Sequence, residues 1–166
     1  MAGIKKSLDH KRAKESLKYM YYNRYLLVRY LTAVFFFANL YWLLFLLLAH
    51  TKFAFIPLTL LVVLVLVAAE QVKLFSDHTN HTPKTKLYYW FQLLVNLALL
   101  PMVFSPMFSE LFPFMANTKA AGQLLSVVLF LSILLCLIIL RRLHMIRHDQ
   151  DRHFARIKEY EKTLHI

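Results

Sequence analysis

The sequence predicts an all-α, polytopic membrane protein with four transmembrane helices and cytoplasmic helical extensions at both ends. Three observations carry that reading. Hydrophobic residues make up 59% of the 166 and charged residues 17%, against roughly 45–50% and a quarter in soluble domains. The apolar residues fall in four long blocks with almost no charge inside them. The formal net charge of +11 is confined to the segments between and beyond the blocks. Together these exclude a secreted disulfide scaffold, an acidic disordered chain and an ordinary soluble enzyme.

The blocks cover 31–49, 53–69, 87–104 and 120–140. A helix needs roughly 20 apolar residues to cross the hydrocarbon core, with roughly 17 near the lower limit. Buried strands stop near about 4–8 residues, so a strand reading fails on length. Pro57 falls in the first turn of the second block, where a missing N–H costs least. The lone cysteine, Cys136, lies in the fourth block and excludes an intrachain disulfide. The first block follows some thirty polar and aromatic residues and precedes no small-residue cleavage site, so it reads as an uncleaved signal anchor.

Orientation follows from Lys and Arg. Residues 1–30 hold eight, 70–86 hold three and 141–166 hold seven, so eighteen of the twenty share one side of a four-span chain. Only Lys52 and Lys119 fall on the other. The positive-inside rule then places both termini in the cytoplasm of a cell-membrane protein.

The connections differ in character. Residues 50–52 leave room only for a tight antiparallel hairpin between the first two spans. Residues 105–119 are apolar but broken by Pro106 and Pro113, too short to span. They are expected in the outer interface, with Glu110 reaching water. The alternative is a lid over a pocket between helices, since irregular backbone at membrane depth lines cavities.

Neither extension contains an internal helix breaker. No Gly or Pro separates Ile4 from Ile56, which predicts one helix running from the N-terminal extension (1–30) into the first span. Within it, Lys18, Tyr21, Tyr22, Arg24, Tyr25 and Arg29, together with Arg141 and Arg142 beyond the last span, form an expected anchor on the anionic inner leaflet. Nucleic acid is not an expected partner, because no binding fold surrounds these cations. In the tail (141–166), Leu143, Ile146, Gln150, His153, Ile157, Tyr160 and Leu164 alternate spacings of three and four. That pattern predicts an amphipathic cytoplasmic helix, with Arg147–Asp151 and Asp149–Arg152 as intrahelical ion pairs. Its seam would pack on its twin in a homo-oligomer, on the N-terminal helix or on a soluble partner.

Chemistry is sparse. His144 and His148 stand i,i+4 with Asp151 a turn further on, acceptable spacing for a divalent metal on one helix face. No cysteine or second cluster completes a closed site, and a solvated, pH-sensitive face is the plainer reading. Asp77, His78 and His81 form a looser group. The chain has two glycines, no phosphate-binding loop, no nucleophile elbow and no H-E-x-x-H, so neither enzymatic activity nor a cofactor is expected. No span holds an ionisable residue in its interior. Asn39, Gln92, Asn96 and Gln123 are the candidate polar contacts between helices, with Gln92 and Asn96 sharing one stripe.

The run Asn23-Arg24-Tyr25-Leu26-Leu27-Val28-Arg29-Tyr30-Leu31-Thr32-Ala33-Val34-Phe35-Phe36-Phe37-Ala38-Asn39-Leu40-Tyr41-Trp42 resembles the opening of small four-span membrane proteins of lactic-acid bacteria and their relatives. Such proteins often carry the label of a cellobiose phosphotransferase IIA subunit. The resemblance covers about twenty residues and implies a Gram-positive cytoplasmic membrane protein. The IIA domains of that sugar class are soluble helical bundles with a phosphorylated histidine, so no site residue is carried over.

The function expected from these features is that of an accessory, scaffold or regulatory subunit of a membrane or transport complex, acting through helix contacts. A small oligomeric channel or transporter built around Asn39, Gln92 and Asn96 is the first alternative. A sugar-phosphotransferase-associated subunit using cytoplasmic His is the second.

Overall fold

The computed structural model describes residues 2–74 and 81–164, among which there is no strand. The helices are α1 (Ala2–Asn23), α2 (Leu26–Leu48), α3 (Phe55–Lys73), α4 (Pro83–Met102), α5 (Phe108–Leu111), α6 (Lys119–Arg147) and α7 (Arg152–Leu164), with a 3-10 turn at Lys52–Ala54 before α3. Three stretches are long and apolar enough to cross a membrane: α2, α3 with its 3-10 lead-in, and α6. α4 is a full-length helix, but Lys84 and Lys86 open it and Gln92 and Asn96 interrupt its apolar run.

Each long helix buries one stripe and leaves the rest apolar. On α2 the buried residues are Val28, Thr32, Phe35, Asn39, Leu43 and Leu46, a spacing of three and four. Outside that stripe Phe37, Tyr41, Leu44 and Leu47 are exposed, as are Val62 and Val65 of α3 and Phe130 and Leu137 of α6. Helices apolar all round require an apolar solvent on their outer faces.

Packing runs in series. α2 packs on α3, α3 on α4 and α4 on α6, while α2 and α6, the ends of the series, touch only weakly. α4 begins at Pro83, and its free N–H groups find a partner on the preceding helix. The Glu70 carboxylate accepts from the backbone N–H of Lys84 (3.1 Å) and Thr85 (2.8 Å) and from the Thr85 hydroxyl (2.7 Å). A carboxylate is favoured there by the open donors and by the helix dipole.

Residues 105–118 fold back over one end of the bundle. Phe108, Leu111 and Phe112 are buried with Leu99, Val103, Leu125 and Leu129 in a second core cluster. Trp42 ties them to α2: its indole N–H donates to the Leu111 carbonyl at 2.9 Å, and its ring stacks on Phe112 with centroids 5.8 Å apart. Glu110 stays exposed. Phe108 and Phe112 thus turn into the protein, as a lid requires, while Phe114 remains exposed.

Two predicted continuous helices are broken. The first stops at Asn23 and restarts at Leu26, with i→i+3 turns from Arg24 to Tyr21 and from Tyr25 to Tyr22. The second stops at Arg147, where Asp149 adopts φ 54°. There the Asp149 N–H bonds the Ile146 carbonyl and the Gln150 N–H bonds the Met145 carbonyl. This is a Schellman cap with aspartate in the place usually held by glycine. The hairpin after α2 uses the same device, with His50 at φ 51° and N–H bonds from His50 to Leu47 and from Thr51 to Leu46. The Arg147–Asp151 pair and the unbroken tail seam expected from the sequence are therefore absent: Gln150 lies exposed in the turn, and α7 packs along α1 instead.

Candidate functional site

The buried polar side chains of the bundle form one chain of hydrogen bonds across three helices. Asn39 on α2 donates to the Phe35 carbonyl (2.8 Å) and to Gln92 Oε1 on α4 (3.4 Å). Gln92 Oε1 also accepts from the Tyr88 hydroxyl (2.8 Å), and its Nε2 donates to Asn96 Oδ1 (3.2 Å). Asn96 Nδ2 donates to Ser132 Oγ on α6 (2.7 Å). The i,i+4 spacing of Tyr88, Gln92 and Asn96 stacks them on one face of α4, the face turned to both neighbours.

A smaller cluster lies one layer away. Gln71 Nε2 donates to Thr32 Oγ1 (3.0 Å), and Thr32 shares a bond with the Tyr89 hydroxyl (2.9 Å). Because the Thr32 proton goes to the Val28 carbonyl at 2.7 Å, Tyr89 is the donor in that pair.

Between α2 and α6 the bundle is open. A cavity of about 300 Å³ sits there, with Asn39, Gln92, Asn96 and Ser132 as its floor. Val34 and Ala38 of α2 and Val128 and Leu131 of α6 form its rims, and Phe112 and Phe114 of the lid close one end. Its polar groups are amides and hydroxyls, which hydrogen-bond but do not exchange protons near neutrality. Among the residues that line it there is no carboxylate, histidine or lysine to act as a general acid or base.

A charged junction lies beyond the bundle, where α1, α2, α6 and α7 converge. Arg24 is 1% exposed. Its Nε donates to Asp151 Oδ2 at 3.2 Å and its Nη2 to Asp149 Oδ1 at 2.9 Å and the Ile146 carbonyl at 3.2 Å, with a further bond from Nη2 to Asp151 Oδ1. The Phe154 ring covers the guanidinium, its centroid 4.8 Å from Cζ. Nearby, the Tyr21 hydroxyl donates to Glu161 at 3.3 Å, a second tie between α1 and α7. Burial alone would raise the Asp151 carboxyl, but its bonds to Arg24 and that cation's charge hold it below the usual carboxylate value. Burial pushes the adjacent Tyr25 phenol up to about 12.

Of the residues singled out in the sequence, Asn39, Gln92 and Asn96 meet in the belt. Gln123 does not: it is exposed near the start of α6, on the rim of a groove with Phe104 and Thr118. The expected leaflet anchor divides. Arg24 and Tyr25 are buried in the junction and unavailable to headgroups, and the Arg29 guanidinium lies 3.1 Å from the centre of the Tyr22 ring. Lys18 and Tyr21 are half-buried, Arg142 is half-buried, and Arg141 is exposed.

The His144–His148–Asp151 face is also undone. The two imidazoles contact each other with centroids 4.5 Å apart, but the turn at 148–151 sends Asp151 to Arg24. No group of three potential ligands comes together among the described residues. Asp77 and His78 lie outside the described residues. Tyr88 and Ser132 were not among the polar contacts expected from the sequence; Ser132 alone carried a signal, standing polar in the fourth apolar block.

No family model, curated protein or solved structure matches this chain.

Proposed function

We propose that the chain is a four-span protein of the cytoplasmic membrane that works through contact rather than catalysis, as an accessory or regulatory subunit of a membrane complex. In this reading α4 joins α2, α3 and α6 as the fourth span. Its two amides are then satisfied within the bundle, which removes the penalty of carrying them into lipid. With four spans the eighteen cations around 1–30, 70–86 and 141–166 fall on the cytoplasmic side, together with the Arg24 junction.

The observation that carries the proposal is the open flank between α2 and α6. Its rims are exposed apolar residues, Val34 and Ala38 on one side and Val128 and Leu131 on the other, with a hydrogen-bonding floor between them. The occupant is a transmembrane helix of a partner subunit: Ala38, a small residue on the α2 rim, lets a helix backbone approach closely there, and the floor accepts a polar side chain from it. The same belt argues against a conduit, since its groups are bonded to one another rather than aimed at a water-filled path.

Purification from native membranes in mild detergent is expected to recover a stoichiometric membrane partner. A Val128→Trp substitution, which plugs the flank from its α6 rim, should release that partner while the helical content and melting of the chain stay unchanged. Recovery of a lone monomer from native membranes, or a partner indifferent to Val128→Trp, overturns the proposal.

A further inference from the structure

A second cavity, of about 290 Å³, lies where the start of α4 meets the end of α6. Four basic side chains line it, His81 and Lys86 from the α4 side and His144 and Arg147 from α6, and among the described residues no carboxylate does. Glu70, on the preceding helix, has turned both oxygens to the first turn of α4. The other wall is apolar. Leu143 is buried beneath the cavity, and Trp90 is half exposed on the outer face of α4, continuous with the bundle's apolar surface.

We infer that this cavity binds the phosphate of an anionic phospholipid, with Lys86 and Arg147 on the headgroup and the acyl chains running down past Trp90. The site requires a doubly charged clamp for the phosphate, since Arg147 offers a fork of donors and Lys86 a compact charge. It also requires an apolar exit, which a free phosphate does not use and a diacyl lipid does. Tryptophan at that depth marks the headgroup level. Basic pockets between helices at the cytoplasmic face are suited to lipid headgroups. The cytoplasmic placement rests on the four-span reading; the pocket and its charges do not.

The test is native mass spectrometry of the whole chain in nanodiscs mixing phosphatidylglycerol with phosphatidylcholine, read as lipids retained after release. Retention of phosphatidylglycerol at least tenfold over phosphatidylcholine is expected. It should fall to parity in Lys86→Gln/Arg147→Gln and persist in Arg156→Gln, an exposed cation on α7 outside the cavity. Inorganic phosphate at millimolar concentration should not displace the lipid. Displacement by phosphate alone would reassign the site to a free anion and overturn the lipid claim. Equal retention of the two lipids would show no preference for an anionic headgroup, and an equal loss in Arg156→Gln would show only diffuse charge; either overturns the site itself. Labelling of a cysteine placed at Arg156 from either side of sealed vesicles tests the span count separately, so the two readings fail independently.

Discussion

Arg24 and Asp151 stand 127 positions apart and share two hydrogen bonds, one of them from Nε to Oδ2 at 3.2 Å, with both side chains fully removed from solvent. The pair joins the turn between α1 and α2 to the turn between α6 and α7. It is the point at which the two extensions become one unit resting on the bundle.

Removing one member leaves the other buried without its charge. Arg24→Ala or Asp151→Ala should cost about 3–5 kcal/mol of local stability. Asp149→Ala should cost only about 0.5–1 kcal/mol from the lost ion pair, because its side chain is 35% exposed. Limited proteolysis in detergent checks this: cleavage between α6 and α7 should accelerate sharply in the first two variants and little in the third.

The same pair sets a pH dependence. The Asp151 carboxyl is held below its ordinary value of 3.8 when docked, so the undocked tail binds the proton more readily. Docking is therefore at full strength above about pH 5. It weakens as pH falls through 3.8 towards the depressed value. A protease active in acid should release α7 progressively below pH 4. Asp151→Asn should flatten that profile, and a wild-type profile flat to pH 2 contradicts the linkage.

Asn96 donates to Ser132 at 2.7 Å and accepts from Gln92 at 3.2 Å, so it bridges α4 to α6. Asn96→Leu should destabilise the bundle by about 0.6–1.7 kcal/mol, the range for hydrogen bonds between membrane helices. Gln123→Leu, on an exposed residue outside the belt, should change stability by less than about 0.5 kcal/mol. Thermal melting of both variants in one detergent separates the two; equal effects would mean that the belt does not bind the helices together.

His50 holds the α2–α3 hairpin at φ 51°. A side chain in the left-handed region costs roughly 1–2 kcal/mol, and glycine avoids it at some entropic cost. His50→Gly should therefore raise stability by about 1 kcal/mol, visible as a higher melting temperature. His50→Val should lower it.

The stripes were legible because burial on a helix repeats every three or four residues, and Asn39, Gln92 and Asn96 stand out as amides among Leu, Val and Phe. The breaks at Arg24 and Asp149 were not, for a physical reason. Chain breaks are read from Gly and Pro, whereas here an aspartate occupies the left-handed cap after α6 and the break at Arg24 has no positive-φ residue. The long-range bonds of Arg24 to Asp149 and Asp151 tie the two turns together. Arg24 and Tyr25 read as a leaflet anchor because local composition favours headgroups; only the tail 127 positions on supplies the carboxylate that draws Arg24 inward. Asp151 left its metal-ligand triplet for the same reason. The segment 105–119 left two arrangements open because its apolar residues are contiguous rather than periodic, so nothing local said which face Phe108 and Phe112 would bury.

The separation of Arg24 from Asp151 also gives assembly an order in time. At about 5–20 residues per second of synthesis, 127 residues take roughly 6–25 s. Throughout that interval the helices between the two turns are made while neither carboxylate partner of Arg24 yet exists. The charge that ends deeply covered thus spends that interval without its carboxylates. A nascent chain stalled anywhere before residue 149 displays a bare guanidinium beside Tyr21 and Tyr25, a mark of incompleteness that arrival of the tail erases.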